Sequence, residues 1–267
     1  MLKARIVTAL LLILVLLAVV LWLPPAATVV ALTAVALAGA WEWSGFLRTP
    51  SLALRVAFVA LVAVLLPLSW RWSAIESGRD LIMGVAVAWW CVALGWILFA
   101  PRRVTPWTAA LAGVLALVPA WLALMRLRLD LPRGAEWMLF VLILVWVADI
   151  GAFFFGRRFG RRRLAQAVSP GKTWEGVVGG IAVSALFAVG GSGWFEVPLI
   201  VFVPLCLVAV AFSIVGDLTE SLLKRFAGMK DSGKVFPGHG GVMDRIDSVT
   251  AAAPVLFFGL TALGVGT

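Results

Sequence analysis

Apolar runs long enough to cross a bilayer recur along almost the whole chain, and no other feature restricts the possible folds as much. Stretches dominated by Leu, Val and Ala last about 17–21 residues, the length at which a helix covers about 30 Å of hydrocarbon. Only helices and closed barrels satisfy their backbone groups in lipid, and the alternating pattern of barrel strands is absent. Charged residues make up 13% of the 267 positions, against about 25% in a soluble domain. The sequence therefore predicts an all-α, polytopic helical membrane protein with about nine transmembrane helices. They are expected over about 6–23, 26–46, 52–69, 81–99, 107–125, 137–155, 174–192, 197–216 and 249–266.

Pro24 and Pro25 separate the first two spans, and a turn from Gly191 to Pro198 separates the seventh and eighth. The first span follows a short basic start, Lys3 and Arg5. No small-residue cleavage site follows it, so it is expected to stay as an anchor. Neither a repeat nor a low-complexity linker divides the chain, so residues 1–267 read as one membrane domain. Within it, N-terminal spans occupy 1–136 and a C-terminal half, 137–267, carries a polar block at 217–248. Cys91 and Cys206 lie in apolar runs and read as packing residues.

The formal charge is +9, but the basic residues gather at span ends rather than in a nucleic-acid-binding stripe, so no nucleic-acid partner is expected. With the N-terminus inside, 17 of the 22 Lys and Arg residues fall on the inner side, including Arg48, Arg55, Arg102, Arg103 and the 217–248 block. The outer loops hold Arg71, Arg79, Arg126, Arg128 and Arg133. This bias places the polar block on the cytoplasmic side of the cell membrane. The cluster from Arg157 to Arg163 reads as an orientation and lipid-contact feature.

The block reads SLLKRFAGMKDSGKVFPGHGGVMDRID from Ser221 to Asp247 and holds the only histidine. Solvated juxtamembrane charge explains a merely basic loop, but not acid alternating with base around glycines. If the eighth helix continues past Asp217, then Glu220, Ser221, Lys224 and Arg225 share a face with it. Asp244 and Asp247, three apart, would lie side by side. Paired carboxylates suit Mg²⁺, which completes its shell with water and substrate phosphates, while Lys and Arg neutralise phosphate charge. His239 sits in Gly-His-Gly-Gly, where backbone amides can approach an anion. Upstream, Asp149 lies inside a span, where a carboxylate needs a polar cavity or a basic partner. Gly171-Lys172-Thr173 ends like a P-loop, but Gln166 stands where that motif needs glycine.

This block resembles the signature of the phosphatidate cytidylyltransferases, also called CDP-diacylglycerol synthases. Ser221, Lys224, Arg225, Lys230, Asp231, Gly233, Phe236, Pro237, His239, Gly240, Gly241, Asp244, Arg245, Ile246 and Asp247 all stand at positions of that pattern. The resemblance extends to Gly216-Asp217-Leu218 and to Ala148–Gly176, where Ser169, Lys172, Thr173 and Glu175 match a second box. It departs at Ile150 and Phe153, where relatives often carry Thr and Tyr, so no role for those hydroxyls transfers. The resemblance implies transfer of CMP from CTP to phosphatidic acid, giving CDP-diacylglycerol and pyrophosphate. It implies Mg²⁺ held by Asp217 and Asp244, a second cation such as K⁺, membrane lipid contacts and a homodimer. Lys224, Arg225, Lys230, Asp231, His239, Arg245 and Asp247 would be catalytic; Ser169, Lys172, Ser221, Gly240 and Gly241 would bind substrate. The Asp-Gly-x-x-Ala-Arg string of CDP-alcohol phosphatidyltransferases does not occur, and a two-histidine lipid phosphatase needs a second histidine. The remaining alternative is a transporter or lipid-binding scaffold with a basic cytoplasmic face.

Overall fold

Prolines and hydroxyl side chains set most of the helix boundaries in the computed structural model, which describes residues 11, 13–235 and 240–265. After α1 (Ile13–Trp22), Pro25 opens α2 (Pro25–Trp43), which tightens into a 3-10 turn at Ser44–Leu47. The Ser51 hydroxyl caps α3 (Leu52–Trp72) by accepting from the Leu54 amide. Next come α4 (Glu76–Phe99) and α5 (Pro106–Leu129), the latter started by a Thr105–Thr108 capping box with Pro106 at its first position. α6 (Gly134–Phe159) leads into an antiparallel hairpin, β1 (Arg163–Ala165) and β2 (Ser169–Thr173), and Thr173 then caps α7 (Trp174–Phe195). α8 (Leu199–Phe226) and α9 (Met243–Ala262) complete the chain.

The expected all-α membrane architecture holds: α2 to α8 are seven helices long and apolar enough to cross a membrane. Of the first expected span, residues 6–10 and 12 lie outside the described residues. α5 and α9 are the innermost helices, with most of their side chains buried. The outer helices expose Leu54, Leu61, Leu68, Val92 and Leu98, as lipid contact requires.

Three local features differ from the sequence reading. α8 runs ten residues past Gly216, because Asp217 to Phe226 is rich in good helix formers. α9 starts at Met243 rather than near 249, so Asp244 and Asp247 sit in its first turns. The β-hairpin was not anticipated; its short strands pair Arg163 with Thr173 and Ala165 with Ser169, too few residues to leave a periodic signal.

Side-chain contacts sort the connections between two ends of the bundle. At one end Arg48 stacks over the Phe226 ring at 5.1 Å, and Glu42 of α2 meets Ser232, Val242 and Met243. At the other, Arg126 bonds Ser73, and Arg133 donates to the Trp194 carbonyl at 2.8 Å. The described residues of the 217–248 block lie at the first of these ends. Gly216 sets how α8 and α9 cross there: a Cβ would stand 2.6 Å from the Asp247 carbonyl oxygen, so only glycine lets the backbones meet. That contact puts Asp217 and Asp247, one on each helix, next to one another.

Candidate active site

The polar end of α8 presents Asp217, Glu220, Ser221 and Lys224 along one face, as helical spacing requires. Asp217 is a quarter exposed; its Oδ2 lies 2.5 Å from Lys172 Nζ, and its Oδ1 accepts the Ser221 hydroxyl at 3.3 Å. Lys172 reaches it from β2, so the hairpin exists in the right place to deliver this cation. Lys224 is nearly buried and bridges two carboxylates, Glu220 Oε2 at 2.6 Å and Asp244 Oδ1 at 2.7 Å.

Asp244 is held from four directions. Besides Lys224, its Oδ2 accepts the Ser232 amide (2.9 Å), the Ser232 hydroxyl (2.9 Å) and the Gly241 amide (2.8 Å). Asp247 takes a different position from Asp244 although both open α9: it lies beside Glu220 and within electrostatic reach of Asp217. Asp217 in turn feels Asp149, which faces Lys172 and Arg245. Asp149, Asp217, Asp247, Glu220 and Asp244 thus form one chain of carboxyl groups, answered by Lys172, Lys224 and Arg245.

Five acidic groups against three basic ones leave the cluster short of positive charge. Glu220, 1% exposed, hydrogen-bonds Asp247, so two buried carboxyl groups stand side by side, a crowding that a bound cation would relieve. No three His, Cys, Asp or Glu side chains among the described residues are grouped to chelate an ion unaided. Mg²⁺ does not need such a cage; one or two carboxylates with water and substrate phosphates suffice. The donor set fits it.

The other residues singled out by sequence are distributed unevenly. Arg245 is exposed and, among the described residues, its guanidinium has no hydrogen-bond partner. Arg225 is exposed and leans on the hairpin, Nε to the Val168 carbonyl at 3.5 Å. Lys230 and Asp231 are exposed, Ser169 is partly buried in β2, and His239 lies outside the described residues. Gly240 has φ of +79°, a conformation that suits glycine. Gly241, expected to offer its amide to substrate, here donates that amide to Asp244. Glu175 accepts the Arg161 amide at 3.0 Å and the Arg162 amide at 3.2 Å, tying the start of the hairpin to the first turn of α7.

One participant escaped the sequence reading. Glu42, buried near the end of α2, accepts the Val242 amide (3.0 Å) and the Met243 amide (2.8 Å), and its Oε2 stands 2.9 Å from the Ser232 hydroxyl as an alternative acceptor to Asp244. A carboxylate between Trp41 and Trp43 in an apolar span was a signal, because lipid tolerates it only with a partner.

The chain matches the family described as "Cytidylyltransferase family" over residues 3–263. It is similar to the phosphatidate cytidylyltransferase of Haemophilus influenzae, with 38% identity over 278 residues covering 95% of this chain and 96% of the relative. Similarity to the phosphatidate cytidylyltransferase of Pseudomonas aeruginosa reaches 42% over 287 residues, covering 100% of this chain and 99% of the relative. The protein of that name from Brucella suis is 38% identical over 195 residues, 68% of this chain and 66% of its own length.

Proposed function

The chain belongs to the cytidylyltransferase family, and from that premise we propose how this integral membrane protein carries out phosphatidate cytidylyl transfer. A phosphate oxygen of phosphatidate attacks the α-phosphorus of CTP. The bond from that phosphorus to the α–β bridging oxygen breaks, and pyrophosphate leaves with the electron pair. Two polyanions must meet, so the reaction needs concentrated positive charge and fixed orientation. The observation that carries the reading is the pair of lysines, Lys172 and Lys224, resting on Asp217 and Asp244 at one end of the bundle. Each ammonium can pass from carboxylate to phosphate when the nucleotide arrives. Arg225, Lys230 and Arg245, all exposed at that end, supply further phosphate contacts.

Mg²⁺ would supply Lewis-acid polarisation of the phosphoryl oxygens. Asp217 would hold it first, since its two oxygens receive only one ammonium and one hydroxyl, with Asp247 beside it. Asp244, with four donors on its two oxygens, would join once substrate phosphate draws Lys224 away. We extend the proposal to K⁺ as a second cation and to a homodimer on the family resemblance alone; mass measurement in detergent decides the latter. Purified protein should release pyrophosphate only when CTP and phosphatidate are both present, and release without phosphatidate would overturn the reading.

The site faces the cytoplasm in this proposal, on the strength of the basic-residue bias. A cysteine replacing exposed Lys234 should react with an impermeant thiol reagent only after permeabilisation. One replacing Glu196, at the opposite end of the bundle, should react in intact cells. The reverse pattern would invert the topology. Arg245→Lys keeps charge but loses the planar fork, so its rate should fall about 10–100-fold, as for loss of a bidentate phosphate contact. A rate within twofold of wild type would show that Arg245 acts as a point charge only.

A further inference from the structure

One carboxylate of the N-terminal half, Glu42, hydrogen-bonds the signature block, and the linkage passes through Ser232 to an acidic group of the site. α9 begins without a cap of its own: Val242, its N-cap residue, offers no side-chain hydrogen bond. Glu42 supplies that cap from α2. Its Oε1 accepts the Val242 amide at 3.0 Å and its Oε2 the Met243 amide at 2.8 Å. A carboxylate there also meets the positive end of the α9 dipole. The Ser232 hydroxyl stands 2.9 Å from Glu42 Oε2 and 2.9 Å from Asp244 Oδ2, and it accepts the Asp244 amide at 3.3 Å. A hydroxyl has one proton, so it links the two carboxylates by serving one or the other. Gly233 and Gly241 pack so closely on Glu42 that a Cβ at either would overlap its carboxylate. Glu42 therefore grips both described ends of the segment that contains the signature glycines.

We propose that Glu42 is a positioning residue for cytidylyl transfer, holding Asp244 in register with Lys224 through Ser232 and the capped start of α9. The proposal rests on the cytidylyltransferase reading and goes beyond it, since Glu42 stands on α2, outside the signature string. A carboxylate is required because both oxygens accept. In Glu42→Gln one of the two helix amides would face an NH₂ group, and the Ser232 hydroxyl would lose its acceptor or its orientation. Loss of register should slow the chemical step more than it weakens nucleotide binding, because the phosphate-binding cations remain.

The test compares full-length wild type, Glu42→Gln, Ser232→Ala and the double variant in detergent, measuring kcat, KM for CTP and melting temperature. Glu42→Gln should lower kcat about 10–30-fold with KM for CTP changed less than threefold. Ser232→Ala should lower kcat about 5–10-fold with little change in melting temperature. The double variant should be little slower than Glu42→Gln alone, because both substitutions cut one linkage. If Glu42 is only a structural cap, the melting temperature falls, kcat per folded molecule stays at the wild-type value and the two kcat effects do not couple. That result overturns the proposal. Should Glu42→Gln fail to fold, Ser232→Ala decides: an unchanged kcat overturns the linkage, and a loss at constant melting temperature supports it. A wild type that releases no pyrophosphate refutes the reaction instead, which the variants alone could not do.

Discussion

Asp217→Asn should insert and fold normally yet release pyrophosphate about 10³-fold more slowly, equivalent to about 4 kcal/mol in the activation barrier. The side chain is a quarter exposed, and asparagine has nearly the same shape, so packing survives. What disappears is the charge that holds Lys172 and that would hold a cation at the meeting point of α8, α9 and the hairpin. Raising Mg²⁺ should restore little, because the loss is of a ligand rather than of occupancy alone. Calorimetric titration of Mg²⁺ into the nucleotide-bound protein gives a second readout, and its binding signal should weaken at least tenfold. A variant with near-wild-type rate at limiting Mg²⁺ would remove Asp217 from the metal role.

Lys224→Met should be nearly as inactive and, unlike Asp217→Asn, markedly less stable. Its ammonium neutralises Glu220, whose side chain is only 1% exposed, and Asp244 as well. Removing one partner of a buried ion pair costs about 3–5 kcal/mol, because the remaining charge has neither water nor a counter-ion. Lys224→Met with Glu220→Gln removes both charges of the tighter pair and should recover part of the melting temperature. Pyrophosphate release should stay lost, since no ammonium then meets the nucleotide. Recovered activity in the double variant would make Lys224 a purely structural cation and assign phosphate binding to Arg225, Arg245 and Lys172.

Much of this protein was legible in the chain alone. Lipid imposes a length and composition rule on every crossing segment, so the spans could be read from local apolar runs. The basic bias of the loops is equally local. The block from Ser221 to Asp247 is a continuous string, and α8 carries Asp217, Glu220 and Lys224 on one face because helical spacing is itself a sequence property. Partner choice across space was not legible. Asp244 and Asp247 are three residues apart, yet one binds Ser232, Gly241 and Lys224 while the other turns to Glu220 and Asp217. That division follows from how α9 is rotated and where Gly216 lets it touch α8. Lys172 meets Asp217 only because a two-strand hairpin too short to show periodicity folds back over α8. Glu42 announced itself as a carboxylate in an apolar span, but its partners lie 190 to 201 positions further along the chain. Spans and signature follow from rules that act within a few turns of helix, whereas the closure of the site depends on the relative phase and crossing of helices, which only tertiary packing determines.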